Sequence, residues 1–370
     1  MNKSWTSRDR MRAAMLRRRP DRVPTMPQIC YPHAVKVLCA DYRKGIAEVN
    51  EDPAKGLDLV IEVSRRYDVD GLRLFLPSAP VRVRDDGDLM IAADPETGKR
   101  LGRIDVLGGG AVIPDRPLLT VESTADLKQI PRPRREELLE AEPFILLRKA
   151  VAKARERFFV ASSPGGFTVN FLSERRGRER ALTDLICEPD LAKRIMDVGL
   201  EVAVEKAKAL VRCGVDALYI GDASASASVI SPRQFKEFCF PRFRTFCEEL
   251  HRHDVLIYLH ICGNSSPLLE MMAETGVDCI EPLDPLGGVS VAEAKRRVGK
   301  RVALMGGVNT LTLLNGTPEA VREEALACCR AGGADGGYIL AAGDMVPDFT
   351  PEANLRALVQ AAKDFSYDRE

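Results

Sequence analysis

The segment Tyr258-Leu259-His260-Ile261-Cys262-Gly263 ends an apolar run by offering an imidazole and a thiol two residues apart. Side chains alternate along an extended chain, so His260 and Cys262 share one side if 255–262 is a strand. Nitrogen and sulfur presented together suit a borderline-soft divalent ion, and zinc is the usual occupant of such mixed sites. An isolated His-x-Cys is more often a buried Cys packing as a small hydrophobe beside a hydrogen-bonded His. Its neighbours in sequence shift that balance. Glu281 lies within Cys279-Ile280-Glu281-Pro282-Leu283, where a carboxylate is costly to bury unless it is paired or metal-bound. Asp344 closes the run Tyr338-Ile339-Leu340-Ala341-Ala342-Gly343, and Asp222 closes Tyr219-Ile220-Gly221. Each of these Asp residues has a competing role as a turn or cap residue, strongest for Asp222. Asn309 follows Gly306-Gly307-Val308.

The elements that would bring these groups together are legible as a repeat. Val69-Asp70-Gly71-Leu72, Val215-Asp216-Ala217-Leu218, Val277-Asp278-Cys279-Ile280 and Ala334-Asp335-Gly336-Gly337 each follow a helix-like segment and lead into an apolar run. Helix, Asp-containing turn, strand is the joint of a βα repeat. Eight strands are predicted, over 22–30, 71–76, 158–163, 217–221, 255–262, 279–283, 302–306 and 338–341. Amphipathic helices are predicted over 191–213, 232–251, 266–275 and 317–331, the last with Pro318 at its start and Gly332-Gly333 at its end. Eight alternating units favour an α/β TIM barrel, spanning 1–370 as one domain, over an open doubly wound sheet. In that fold working residues sit at the C-terminal strand ends, so His260, Cys262, Glu281, Asp344 and Asp222 would converge on one rim. Residues 81–110, rich in Arg, Asp and Gly, read as an inserted β-hairpin region after the second strand, and Pro131 and Pro133 stiffen the connector that follows. Residues 1–20 read as a basic amphipathic helical extension packed across the barrel bottom.

Composition bounds the function. The 370 residues carry 54 basic and 54 acidic side chains, a net charge of zero, which argues against a nucleic-acid backbone or an anionic membrane as partner. No apolar stretch approaches the ~20 residues of a membrane span, and the polar start lacks a secretory core, so a cytoplasmic protein is expected. The ten Cys fall mostly inside apolar segments and read as reduced core residues.

His260-Ile261-Cys262-Gly263-Asn264, the strand around Glu281, Gly306-Gly307-Val308-Asn309-Thr310, and Gly337-Tyr338-Ile339-Leu340 through Thr350-Pro351-Glu352-Ala353-Asn354-Leu355 resemble the uroporphyrinogen decarboxylase superfamily, in its corrinoid-dependent methyltransferase branch. Ile230-Ser231-Pro232-Arg233-Gln234-Phe235 and Pro20-Asp21-Arg22-Val23-Pro24 extend the likeness over nearly the whole chain. The resemblance implies a TIM barrel with an N-terminal helical extension. It implies a zinc ion held by His260, Cys262 and Glu281, with Asp344 where related enzymes that methylate thiols carry a second Cys. It also implies a corrinoid (cobalamin) carried by a partner protein and a small methylated substrate, with a homodimer left open. Replacing a sulfur by a carboxylate makes a harder metal site, better matched to an oxygen or nitrogen leaving group than to a thiol. The expected activity is therefore transfer of a methyl group from a methoxy or methylamine substrate to cobalt(I), with methylcorrinoid:thiol transfer as the alternative. Tyr31, His33, Asn170 and Asp222 are expected to face the cavity, with Phe167 and Phe75 as walls. A decarboxylase of the same family is the rival from another reaction class; Gln28-Ile29-Cys30-Tyr31-Pro32-His33 and Phe75-Leu76-Pro77-Ser78 stand where its arginine-rich and catalytic Asp motifs belong. A binding barrel without catalysis is the third reading.

Overall fold

The computed structural model describes residues 5–87, 89–106, 110–115 and 119–367. Residues 1–4 of the expected N-terminal helix, and 88 and 107–109 of the expected insertion, lie outside that set. The barrel sheet begins with β1 (Gly71–Arg73). The chain then leaves it for four antiparallel strands, β2 (Arg82–Asp86), β3 (Leu89–Ala93), β4 (Arg100–Ile104) and β5 (Val112–Pro114). The barrel resumes with β6 (Phe159–Ser162), β7 (Ala217–Gly221), β8 (Leu256–His260), β9 (Cys279–Leu283), β10 (Ala303–Val308) and β11 (Tyr338–Ala342). The parallel order β1-β6-β7-β8-β9-β10-β11 is the order of the chain, as a TIM barrel requires. The insertion is thus a four-stranded meander that runs on to Pro114, longer than the single hairpin region expected over 81–110.

Closure of the barrel differs from expectation in one place. Residues 22–30 form no regular strand, yet Thr25 bridges Leu340 and Gln28 bridges Met345, both in parallel. Pro24 and Pro27 supply no N–H, so a continuous ladder is unavailable, and closure relies on single bonds. Leu340 N–H donates to Pro24 O at 2.9 Å and Gly71 N–H to Thr25 O at 3.0 Å, tying this first stave to the strands on both sides. Proline acts again in the helix predicted over 232–251. Pro241 cannot donate within it, and the helix divides into Pro232–Gln234, a π-turn over Phe235–Cys239 and Phe240–Leu250.

Helix α1 (Ser7–Met15), shorter than the expected 1–20, is started by Thr6, whose side chain accepts from Asp9 N–H. Its apolar face, Met11, Ala14 and Met15, is buried with Met26, Phe159, Ala217 and Leu256 and plugs the bottom of the barrel. Each fully buried side chain of that size contributes about 1.5–3 kcal/mol. Arg8 and Arg10 flank that face and meet the Asp joints of the repeat. Arg8 pairs with Asp216 at 2.6 Å, and Arg10 lies 3.5 Å from Asp70. Those joints also fix strand register. Asp70, Asp216 and Asp278 accept from the backbone N–H of Thr25, Val160 and Ile257, each on the neighbouring stave, at 3.0, 2.9 and 2.8 Å. Helices α2 (Tyr31–Leu38), α3 (Tyr42–Glu51) and α4 (Pro53–Tyr67) follow the first stave and pack under the inserted meander through Val35, Ile46, Val49, Met90 and Ile104. No helix among the described residues is long and apolar enough to cross a membrane.

Candidate metal centre

Above the methionine plug the barrel interior turns aromatic and then charged. Tyr219 and Tyr258, from β7 and β8, form the middle layer with ring centroids 5.4 Å apart. The Arg73 guanidinium, from β1, lies over both rings at 4.7 and 5.3 Å. Its Nη2 is 2.7 Å from Oε1 of Glu281 on β9, and both side chains are 1% exposed. The other carboxylate oxygen of Glu281 contacts Nδ1 of His260, the last residue of β8. Burial alone would raise the Glu281 carboxyl, but Arg73 and His260 outweigh it and hold it well below the usual range. Burial likewise opposes charge on His260, and the Glu281 carboxylate prevails, raising it above an ordinary imidazole.

With Nδ1 engaged, Nε2 of His260 faces the rim, where one donor atom each from His260, Cys262 and Asp344 lies within 4.8 Å of the others. Nε2 and Oδ1 of Asp344 are 3.6 Å apart, too far for a good hydrogen bond. The turn carrying Cys262 is fixed from below: Gly263 adopts φ +74° and its N–H donates to Asp284 at 3.2 Å. Gly287 packs so closely on it that a Cβ there would stand 2.2 Å from Gly263 O. A nitrogen, a sulfur and a carboxylate oxygen converging from the end of β8 and the loop after β11 are a donor set that fits zinc. Glu281, expected as a ligand, lies outside this cluster and backs His260 instead. Its carboxylate fixes the ring orientation and the tautomer, the usual office of a group behind a ligating His.

The remaining candidates separate into three kinds. Asp222 is fully buried and accepts from Thr168 N–H at 3.0 Å, Thr168 Oγ1–H at 2.6 Å and Asn170 N–H at 3.0 Å, while burial pushes its carboxyl up to about 6. Asn170 Oδ1 in turn accepts from Ser224 N–H at 3.2 Å. These two clamp the loops after β6 and β7 to each other. Tyr31 lines a cavity beside Arg73 and gives its hydroxyl to Gly110 O. His33, expected at the cavity, is instead fully buried on the inner face of α2, with Nδ1 3.0 Å from Asp348 O and Nε2 3.0 Å from the Tyr67 hydroxyl. Its apolar neighbours on a helix face left no sequence signal that it turns inward. Phe167 is core, 5.0 Å from Phe246, whereas Phe75 does line the cavity. Asn309 caps the helix Thr310–Asn315 by accepting from Leu311 N–H at 2.8 Å. Arg73 and Asp284 are the site residues that sequence reasoning missed. A lone cation in the apolar strand Gly71-Leu72-Arg73 was the available signal for the first, since it demands a buried carboxylate partner.

The position of His33 has a measurable consequence. Burial lowers its pKa below 6.5, so between the folded and unfolded values the unfolded chain binds more protons. Stability from this group is present above pH 6.5 and is lost as pH falls through that window. Urea unfolding of the wild type between pH 7 and 5 should show a steeper loss than His33→Asn. Parallel curves would remove His33 as a source of acid sensitivity.

The barrel and its rim cluster define a TIM-barrel protein with a mixed nitrogen, sulfur and oxygen centre at the C-terminal strand ends. A family profile described as uroporphyrinogen decarboxylase (URO-D) matches residues 105–365, and the chain belongs to that family. Methylcobamide:CoM methyltransferase MtaA of Methanosarcina barkeri is 33% identical over 181 residues, 49% of this chain and 51% of that protein. The chain spans about half the length of the curated methyltransferases it matches first. A uroporphyrinogen decarboxylase of Psychromonas ingrahamii is 25% identical over 340 residues, 88% of this chain and 89% of the relative. A solved methyltransferase from Methanosarcina mazei superposes with a TM-score of 0.76 at 23% identity, covering 98% of this chain and 99% of that one, which shows a common fold. Because both methyltransferases and decarboxylases appear among the relatives, the reaction has to be argued from the site.

Proposed function

We propose that this chain is a zinc-dependent methyltransferase that moves a methyl group from a small methoxy or methylamine substrate to the cobalt(I) of a corrinoid held by a partner protein. The observation that carries the reading is the convergence of His260, Cys262 and Asp344 within 4.8 Å on the rim. Zinc at these residues would supply a Lewis acid for the departing heteroatom. On transfer the methyl–heteroatom bond would break with its electron pair left on the heteroatom, which takes up a proton from solvent, and the corrinoid would supply the electron pair that accepts the methyl group. Glu281 and Arg73 hold the His260 ring in place, and the turn at Gly263 and Asp284 holds Cys262, so the protein's contribution is orientation rather than a nucleophile of its own.

The relatives named for methylcobamide support a corrinoid as the methyl carrier. Those same names attach a thiol, CoM, as acceptor, whereas a donor set with a single sulfur favours demethylation of an ether or amine. Free cobalamin in the cobalt(I) state, offered with methyl ethers, methylamines and thiols, separates the two directions. Wild type should carry about one zinc per chain and demethylate an ether or amine, and Asp344→Cys should keep zinc while losing much of that activity. Methyl transfer only from methylcobalamin to thiols reverses the direction, and protein that neither carries nor takes up zinc removes the reading altogether.

A further inference from the structure

After β6 the chain turns through Pro164-Gly165-Gly166 before it enters the helix Val169–Arg176. Between that turn, the connector carrying Pro131 and Pro133, and the helix Pro189–Arg212 lies a cavity of about 340 Å³. None of His260, Cys262 and Asp344 lines it. Its walls are set by the backbone at close quarters. Gly165 adopts φ +97°, a Cβ on Gly166 would stand 2.6 Å from Gly221 O, and one on Gly199 would stand 2.7 Å from Phe167 O. The space is therefore preformed, and it falls at the lower end of the roughly 300–1,000 Å³ that small-molecule sites occupy.

Ile130, Pro133, Phe171, Val202 and Ala203 give the cavity apolar walls, and Glu174, Arg175 and Lys206 are the charged side chains among its described lining residues. Two of these three answer each other. Nη1 of Arg175 is 3.0 Å from Oε2 of Glu174, and the guanidinium lies 4.3 Å over the Phe171 ring. Lys206 is left over. It is half-buried and makes no hydrogen bond or ion pair with any described residue. Glu205, beside it in sequence, is spent on the Arg135 N–H at 3.0 Å and on Lys208 at 3.4 Å. Burial lowers the pKa of the Lys206 amine, and the Glu174 charge does not make up the difference. An ammonium group with three N–H donors, set in an apolar cleft with no counter-charge of its own, calls for an anion.

We propose that this cavity is a binding site for a small organic carboxylate, with the carboxylate on Nζ of Lys206 and an apolar body against Phe171, Val202 and the proline connector. One unanswered positive charge matches a monoanion. A dianion would leave a charge uncompensated and bring it toward Glu174. The site is separate from the metal centre and does not depend on the methyl-transfer reading.

Benzoate and benzamide share a shape and differ in charge, so their calorimetric titration into the purified full-length chain near neutral pH tests the assignment without turnover. Benzoate should bind at least tenfold more tightly than benzamide, and Lys206→Met, which keeps the stem and removes the charge, should erase that preference. Brief treatment of wild type with acetic anhydride, read by peptide mass spectrometry, locates the site. Saturating benzoate pairs and shields the amine, so acetylation of Lys206 should slow at least threefold while that of Lys208 stays unchanged. Absence of benzoate binding, equal binding of the two ligands, or unaltered Lys206 acetylation overturns the assignment in wild type alone, even if the variant does not fold. Benzoate binding that is lost in Cys262→Ala and kept in Lys206→Met would put the carboxylate on the metal centre and overturn it as well.

Discussion

His260→Ala should leave purification with only a small fraction of the zinc held by wild type, and methyl transfer to cobalt(I) should fall with it. Removing one of the three converging donors forfeits roughly 3 kcal/mol if total zinc binding of about 10–16 kcal/mol is shared among four ligands, which is on the order of 100-fold in affinity. Cys262→Ala should behave alike. Glu281→Gln should keep the fold and lose about 10–100-fold in zinc affinity, the usual range for a group behind a ligating His. Cys328 and Cys329, buried on the helix Pro318–Gly333, serve as controls whose replacement leaves zinc unchanged. Elemental analysis and chelator competition measure all of these, and zinc loss from the controls as large as from Cys262→Ala would show that the wrong thiols have been chosen.

The second large effect belongs to Arg73. Arg73→Leu leaves the Glu281 carboxylate 1% exposed with only His260 to answer it, and breaking a buried pair from one side costs about 3–5 kcal/mol. The double variant Arg73→Leu/Glu281→Leu should recover much of that stability, because no charge is then stranded, while zinc affinity stays low because Nδ1 of His260 has lost its partner. Urea unfolding of the two single variants and the double variant supplies the cycle. Additive losses would mean that the guanidinium and the carboxylate do not depend on each other.

Much of this was readable from residue types and spacing because the barrel repeats. Strands buried on both faces read as continuous apolar runs, and the Asp joints at 70, 216 and 278 marked where they start, which is why six of the predicted strands fall within a residue or two of β6 to β11. The first stave misled because its apolar residues mimic a strand while Pro24 and Pro27 forbid the ladder. Convergence of His260, Cys262 and Asp344 followed from the rule that strand ends share a rim. The role of Glu281 did not, because which oxygen meets which partner depends on Arg73, 208 positions earlier in the chain, and no local pattern reports that distance. His33 shows the converse: a titratable residue near the rim in sequence points into packing once α2 takes its place.

The closure of the barrel by residues 24–28 bears on where the centre gives way first. Among β1 and β6 to β11 every neighbouring pair is laced by a ladder of parallel bonds, whereas the stave between β11 and β1 hangs on a few isolated ones on both its sides. Amides at Met26, Leu340 and Val346 should therefore exchange with solvent deuterium sooner than those in the middle of β7 and β8. Asp344 sits at the edge of that stave, next to Met345, which bridges Gln28. His260 and Cys262 are then expected on the slow-breathing side of the barrel and Asp344 on the fast one, so that warming should part the carboxylate from the imidazole and thiol before the fold itself lets go.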